Sequence, residues 1–357
     1  MKIKAEFQIP YYHYLNNKGE LAENAPIQLS DDTLIKYLKV MTTIQIFDKK
    51  SIALQRTGKM GTYAPIYGQE SIGTAIGMTL APNDVFVPYY RDYATLYQRN
   101  IKLSDILSFW GGDERSMSFS YQAHDFPLCV PIASQCLHAA GAAFALKYQN
   151  TKNVALVTIG DGGTSEGDFY EAMNVAGAWD LPIVFVIKNN QWAISVPLEK
   201  QTRCQTLAQK AIAAGFQGVQ VDGNDVFALH HVLENAIEKA RNGEPTLIEA
   251  ISYRLSDHTT ADDATRYQPS HQVEEAKQLI PIERLKKYLL KQNILTEADI
   301  EKMNIEAEAE VEKNIEVYLS QNQQKIETIF DYHYAALPDY LIEQRAEAME
   351  EFHHAHD

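Results

Sequence analysis

The sequence predicts an α/β fold: a parallel sheet with helices on both faces and helical N- and C-terminal extensions. Four short apolar runs have the composition of buried strands: "VALVTI" (154–159), "PIVFVI" (182–187), "GVQV" (218–221) and "PTLIEAISYR" (245–254). Helical patterns separate them. Phe169, Ala172, Met173 and Ala176 share one face between the first two runs, and "VFALHHVLENAIEKAR" precedes the fourth. Strand and helix in alternation give a parallel sheet covered on both faces. A third observation is the turn "GDGGTSEGDF" (160–169), which sets an acid among glycines where a strand must become a helix.

In chain order, residues 1–30 read as an arm carrying Tyr11, Tyr12 and Tyr14 without a clear period. "SDDTLIKYLKVMTTIQIFDKKSIALQRTG" reads as a long helix that Ser30 or Asp31 can cap and Gly58 can end. "GTYAPIYGQE" is a Gly/Pro loop, and a second helix runs from about Ser71 to Leu80. The small residues after Gln135 fit a helix packed closely on a neighbour. The four strands follow. From about 283 to 320 the chain is charged and helical in pattern, and it ends in "EFHHAHD", read as a solvated tail. The implied division is an arm (1–30), an α/β domain with a helical C-terminal part (31–335) and a tail (336–357).

The formal net charge of −15 argues against a nucleic-acid backbone or an anionic membrane as the main partner. No run approaches a membrane span, and the N-terminus lacks the apolar core of a signal peptide. Cys129, Cys136 and Cys204 form no Cys-x-x-Cys pair, and their odd number argues against a disulfide framework. They read as packing residues in a reduced, cytoplasmic compartment. His138 reads as a helix-face histidine, and His230 and His231 as solvent-facing.

If "VALVTI" and "PIVFVI" are neighbouring parallel strands, Asp161 and Asn190 leave the sheet on the same edge, where ligands of open α/β sheets bind. One carboxylate, one amide oxygen and a backbone carbonyl suit Mg²⁺, which keeps positions for phosphate oxygens and water. Gly162 and Gly163 let backbone approach phosphates, and the next helix turns its N-terminal N–H groups toward them. The alternative is a plain tight turn. The turn lacks the Gly-x-Gly-x-x-Gly spacing of a dinucleotide site.

With these residues in place, "GDGGTSEGDFYEAMNVAGAWDLPIVFVIKNN" resembles the thiamine diphosphate motif. The surrounding chain resembles the alpha subunit of the first, decarboxylating component of 2-oxo acid dehydrogenase complexes. The resemblance runs from about residue 30 to 335 through "GTYAPIYGQE", "PYYRDY", "PIASQ", "QWAIS", "TLAQKAIAAGFQGVQVDGND" and "YRLSDHTTADDATRY". It implies a thiamine diphosphate-binding fold in which Asp161, Asn190 and the Trp192 carbonyl ligate Mg²⁺ on the diphosphate. It assigns Tyr90 and Arg91 to the diphosphate and a backbone group of Ile132 to the pyrimidine. It makes His258 the catalytic histidine of acyl transfer. Ser134 and Gln135 match positions that surround a structural monovalent cation in some relatives. Thr259 stands where animal enzymes carry a regulatory phosphoserine.

A carboxylate must also reach the pyrimidine. Glu166 and Asp168 open the helix on the diphosphate side and are poorly placed for that. The resemblance therefore implies a beta subunit that supplies the carboxylate, an α2β2 heterotetramer, and a lipoyl-bearing acyltransferase core as acyl acceptor. Pyruvate is the first expected substrate; branched-chain 2-oxo acids and acetoin are the alternatives. A non-catalytic protein that keeps the fold is the alternative of a different class.

Overall fold

The computed structural model of the protein describes residues 1–118, 124–322 and 324–354, with residues 353 and 354 described by backbone alone. Contacts group them into two units, Met1–Ile315 and Glu316–Asp357. The histidine-rich tail falls outside the described side chains.

The first unit holds a six-stranded sheet. Its strands are β1 (Tyr11–Tyr12), β2 (Val85–Val87), β3 (Ala155–Gly160), β4 (Ile183–Asn189), β7 (Gln217–Asp222) and β8 (Thr246–Ile251). A two-stranded hairpin, β5 (Trp192–Ala193) and β6 (Val196–Pro197), stands apart. The sheet order is β1-β7-β8-β4-β3-β2, and every pairing in it is parallel. The four strands expected from sequence are therefore adjacent. Two more were not anticipated. Tyr11–Tyr12 pairs with Gln220–Val221 at one edge, and Val85–Val87 pairs with Ala155–Val157 at the other.

The helices are α1 (Asp31–Arg56), α2 (Glu70–Thr79), α3 (Tyr93–Gln98), α4 (Leu103–Trp110), α5 (Ser134–Tyr148), α6 (Gly167–Ala178), α7 (Leu198–Gln201), α8 (Lys210–Ala214), α9 (Val226–Arg241), α10 (Ser270–Lys277), α11 (Pro281–Lys291) and α12 (Glu297–Leu319). Ser30 caps α1 by accepting from the Thr33 N–H at 3.2 Å, and Gly58 follows its end at a φ of 72°. In the second unit, α13 (Thr328–Asp331) and α14 (Asp339–His354) carry the chain to its end.

Both faces of the sheet are covered, which is why its strands read as unbroken apolar runs. Ala155, Val157 and Ile159 of β3 and Ile183, Phe185 and Ile187 of β4 form a core with Ala139 and Ala143 of α5 and Phe169, Met173 and Ala176 of α6. The alternate residues, Leu156, Val184 and Val186, point to the other face and are equally buried, on the side where α9 packs against β4 and β8. Phe185 meets Phe169 edge-on at 6.1 Å and stacks on Phe216 at 6.2 Å. α5 packs on α6 with Ala139 and Ala143 in their shared core, as the small residues after Gln135 predict.

His230 departs from expectation. It is buried, because α9 is covered along its whole first turn, and its Nδ1 lies 2.9 Å from the Tyr37 hydroxyl of α1. A buried imidazole needs such partners in place of water. His231 is half-buried against Tyr12 and Tyr14, and His138 is exposed on α5, stacked on Phe126.

Candidate functional site at the carboxyl edge of the sheet

Four adjacent parallel strands deliver the candidate residues to one edge. β3 ends at Gly160 opposite Lys188 of β4, so Asp161 and Asn190 leave the sheet side by side. β2 leads into Tyr89, Tyr90 and Arg91. β8 ends at Ile251, earlier than the expected 254. Its backbone stays on the exit of β4 through Ser252 N–H to Asn189 O at 2.8 Å and Arg254 N–H to Asn190 O at 3.2 Å. That short extension carries Arg254 and then His258 over the site.

All nine sequence-predicted residues line one cavity of about 240 Å³: Tyr90, Arg91, Ile132, Asp161, Gly162, Gly163, Asn190, Trp192 and His258. The two glycines have a packing reason beyond any ligand. A Cβ on Gly162 would fall 2.5 Å from the Ala193 Cβ, and one on Gly163 would fall 2.7 Å from the Ile159 side chain. Three non-glycine residues around the cavity have left-handed backbone: Ala133 (φ 68°), Gln191 (φ 73°) and Ile194 (φ 54°). Ile194 sits in the two-residue turn between β5 and β6, where such a φ is required. For a β-branched residue that is strain, and strain of this kind gathers at functional sites.

Asp161 is buried, and burial pushes its carboxyl up from the usual range. A hydrogen bond from Gln201 and the backbone N–H groups of Asp161 and Asn190 oppose that push. Asn190 is also buried; its Oδ1 accepts from the Trp192 N–H at 3.2 Å. Among the described residues no group of three His, Cys, Asp or Glu side chains could hold a metal. One carboxylate, one amide and one carbonyl remain, a hard oxygen set of the kind Mg²⁺ shares with a phosphate.

Two buried arginines at the site hydrogen-bond neutral acceptors. Arg91 is buried, and the acceptors its guanidinium meets are neutral: the Pro65 carbonyl, the His258 carbonyl at 2.6 Å and the His258 Nδ1 at 3.0 Å. Arg254 is fully buried and donates to the Trp192 carbonyl at 3.4 Å, the Ile194 carbonyl at 2.8 Å and the Tyr267 hydroxyl at 2.6 Å. Two buried cations on neutral partners beside a cavity suit a diphosphate. The buried Tyr89 hydroxyl and Gln135 Oε1, both in residues of the cavity wall, have no hydrogen-bond partner among the described residues. The residues present fit a diphosphate with its cation.

His258 is held neutral. Burial, then Arg91 and Arg254, lower its pKa to about 3, against a smaller opposing effect of Asp262. Both arginines face Nδ1 and can only donate, so the ring proton sits on Nε2. The Asp262 carboxylate fixes the loop by accepting from the His258 N–H at 2.8 Å. Tyr90 meets the imidazole edge-on at 6.4 Å and lies 5.0 Å from the Arg91 guanidinium.

The support beneath these residues was not visible in the sequence. Lys188 in β4 forms a fully buried ion pair with Asp92, which also accepts from the Tyr89 N–H at 2.9 Å and from the Thr158 hydroxyl. This pair clamps the Tyr89–Arg91 turn to β3 and β4. Cys136 packs in the core as expected, but Cys129 lines the cavity, 3.3 Å from the Ser134 hydroxyl. All three cysteines are free.

Fold and site together define a parallel α/β enzyme subunit with an anion-seeking cavity at the carboxyl ends of its strands. Comparison with known proteins gives the family. The profile described as "Dehydrogenase E1 component" matches residues 38–327, and the chain belongs to that family of thiamine diphosphate-dependent oxidoreductases. Three relatives, each named pyruvate dehydrogenase E1 component subunit alpha, are similar over nearly their whole length. The one from Mycoplasma pneumoniae is 37% identical over 98% of this chain and 98% of its own. Those from Bacillus subtilis (37%; 93% and 91%) and Acholeplasma laidlawii (39%; 90% and 94%) follow.

Proposed function

We propose that this chain is the alpha subunit of a pyruvate dehydrogenase first component. It would decarboxylate pyruvate oxidatively and pass the acyl group to the lipoyl arm of an acyltransferase core. The convergence of nine candidate residues in one cavity carries the site assignment, and the near full-length similarity to alpha subunits supports the substrate. Thiamine diphosphate, when bound, supplies the electron sink that lets a 2-oxo acid lose carbon dioxide.

The chain's own residues anchor and orient. Asp161, Asn190 and the Trp192 carbonyl would hold Mg²⁺. Arg91 and Tyr90 would hold the diphosphate, and a backbone group of Ile132 would meet the pyrimidine. Arg254 donates to the carbonyl of Trp192. His258, neutral with its proton on Nε2, is suited to donate a hydrogen bond and not to act as a base near pH 7. Gln135 and Ser134 would flank a monovalent cation.

Asp161 and Glu166 are the carboxylates among the described cavity residues. Gln201 engages the first, and the second is exposed where α6 begins. A pyrimidine carboxylate must then come from a beta subunit, in an α2β2 assembly with the cofactor between chains. No helix among the described residues is long and apolar enough to cross a membrane.

The test is co-expression with the beta chain and assay on pyruvate, 3-methyl-2-oxobutanoate and acetoin. Pyruvate should give the highest kcat/KM, and the alpha chain alone should be inactive. Faster turnover of either other substrate would reassign it, and full activity of the isolated chain would refute the shared site.

A further inference from the structure

Asp161 and Asn190 are each gripped by a glutamine from a distant part of the chain. Gln201, in α7, donates from Nε2 to Asp161 Oδ2 at 2.9 Å and to the Val196 carbonyl at 3.0 Å. Both of those partners accept, so the amide end facing Asp161 is nitrogen. Gln69, just before α2, accepts from Asn190 Nδ2 at 3.2 Å. Here Asn190 fixes the orientation. Its Oδ1 meets the Trp192 backbone N–H, which can only donate, so Nδ2 faces Gln69 and Gln69 must present oxygen.

Neither glutamine is explained by its own satisfaction. Gln69 is 3% exposed, yet its Nε2 is buried without a partner among the described residues, and Gln201 leaves Oε1 buried in the same state. In each case the end that is used is the end on Asp161 or Asn190. The hairpin β5–β6 returns the chain so that Gln201 reaches back 40 residues to Asp161. Gln69 reaches across 121 residues to Asn190.

We propose that Gln201 and Gln69 are positioning residues for the cation, with opposite chemical requirements: position 201 must donate and position 69 must accept. This rests on the diphosphate site proposed above. Gln201 occupies one carboxylate oxygen and leaves Oδ1 for the ion. Gln69 and the Trp192 N–H together fix the amide plane of Asn190, so that its oxygen cannot rotate away. Neighbours that orient metal ligands in this way change affinity roughly 10- to 100-fold when removed.

The experiment titrates Mn²⁺ into the assembled alpha–beta complex with thiamine diphosphate, reading free Mn²⁺ by electron paramagnetic resonance. Gln201→Met, Gln201→Glu and Gln69→Met should each weaken Mn²⁺ binding by about tenfold or more. Gln69→Glu should bind within about threefold of the unaltered complex, because a carboxylate still accepts. Metal-free melting of the Met variants should stay near that of the unaltered complex, which a purely structural role would not allow. Tight binding by Gln201→Glu, or a Gln69→Glu loss equal to that of Gln69→Met, would overturn the proposal. If a Glu variant does not assemble, the Met variants decide: unchanged affinity in both overturns it. Failure of the unaltered complex to bind Mn²⁺ would instead overturn the diphosphate site, and this proposal with it.

Discussion

At the scale of single residues, His258 shows how environment sets chemistry. An exposed histidine titrates near 6.5. Here burial and two guanidinium groups hold it neutral down to about pH 3. The unfolded chain binds a proton at His258 below about pH 6.5 while the folded, cofactor-free chain does not, so acid favours unfolding. Its contribution is intact above that pH and is lost as pH falls from 6.5 toward 3. His258→Gln should flatten the acid limb of stability against pH in the cofactor-free protein, measured by urea denaturation between pH 4.5 and 7.5. An equally steep limb in the variant would assign the slope to other groups. Asp161 and Asn190 were legible because each lies within two residues of a strand end, where local pattern reports position. Gln69, Gln201, Arg254 and Lys188 were not, because contacts across the fold define their roles and no local period encodes those.

At the scale of elements, β3, α6 and β4 were readable because a strand covered on both faces is apolar throughout and its crossover helix has a clear stripe. α9 was placed correctly, but burial around its start hid the character of His230. β1 and β2 escaped because two and three residues are too few to show a period. What holds β1 is tertiary. His13, next in the arm, lies 2.9 Å from Asp222 at the end of β7, and Arg284 of α11 donates to the same carboxylate at 2.6 Å. The bond to Asp222 raises the His13 pKa, and burial only partly offsets it. A raised histidine stabilises fully below its unfolded value near 6.5 and ceases to as pH rises through its folded value. His13→Asn should therefore lower stability more at pH 5.5 than at pH 9, the opposite sign to His258. Hydrogen exchange at Gln220, whose N–H donates to the Pro10 carbonyl at 2.8 Å, should quicken in step. Equal losses at both pH values would remove the ion pair from the account.

At the scale of the whole molecule, the first unit presents a finished sheet and an unfinished site. Two buried guanidinium groups, Arg91 and Arg254, and the buried Asp161 carboxylate gather at the carboxyl edge of the sheet. Each is costly to keep desolvated, and the diphosphate with its cation would offset both signs at once. The bare chain should then be less stable than its core implies, and binding should return that stability by mass action. A ligand at a hundred times its Kd adds about 2.7 kcal/mol. On the proposed reading that the beta chain meets the pyrimidine end, the gain should depend on three components together. Thermal melting should rise for the alpha–beta complex with thiamine diphosphate and Mg²⁺, and rise much less if Mg²⁺ is chelated or the beta chain omitted. An equal rise for the alpha chain alone would mean that this cavity binds the whole cofactor unaided, and the partner would be needed for turnover only.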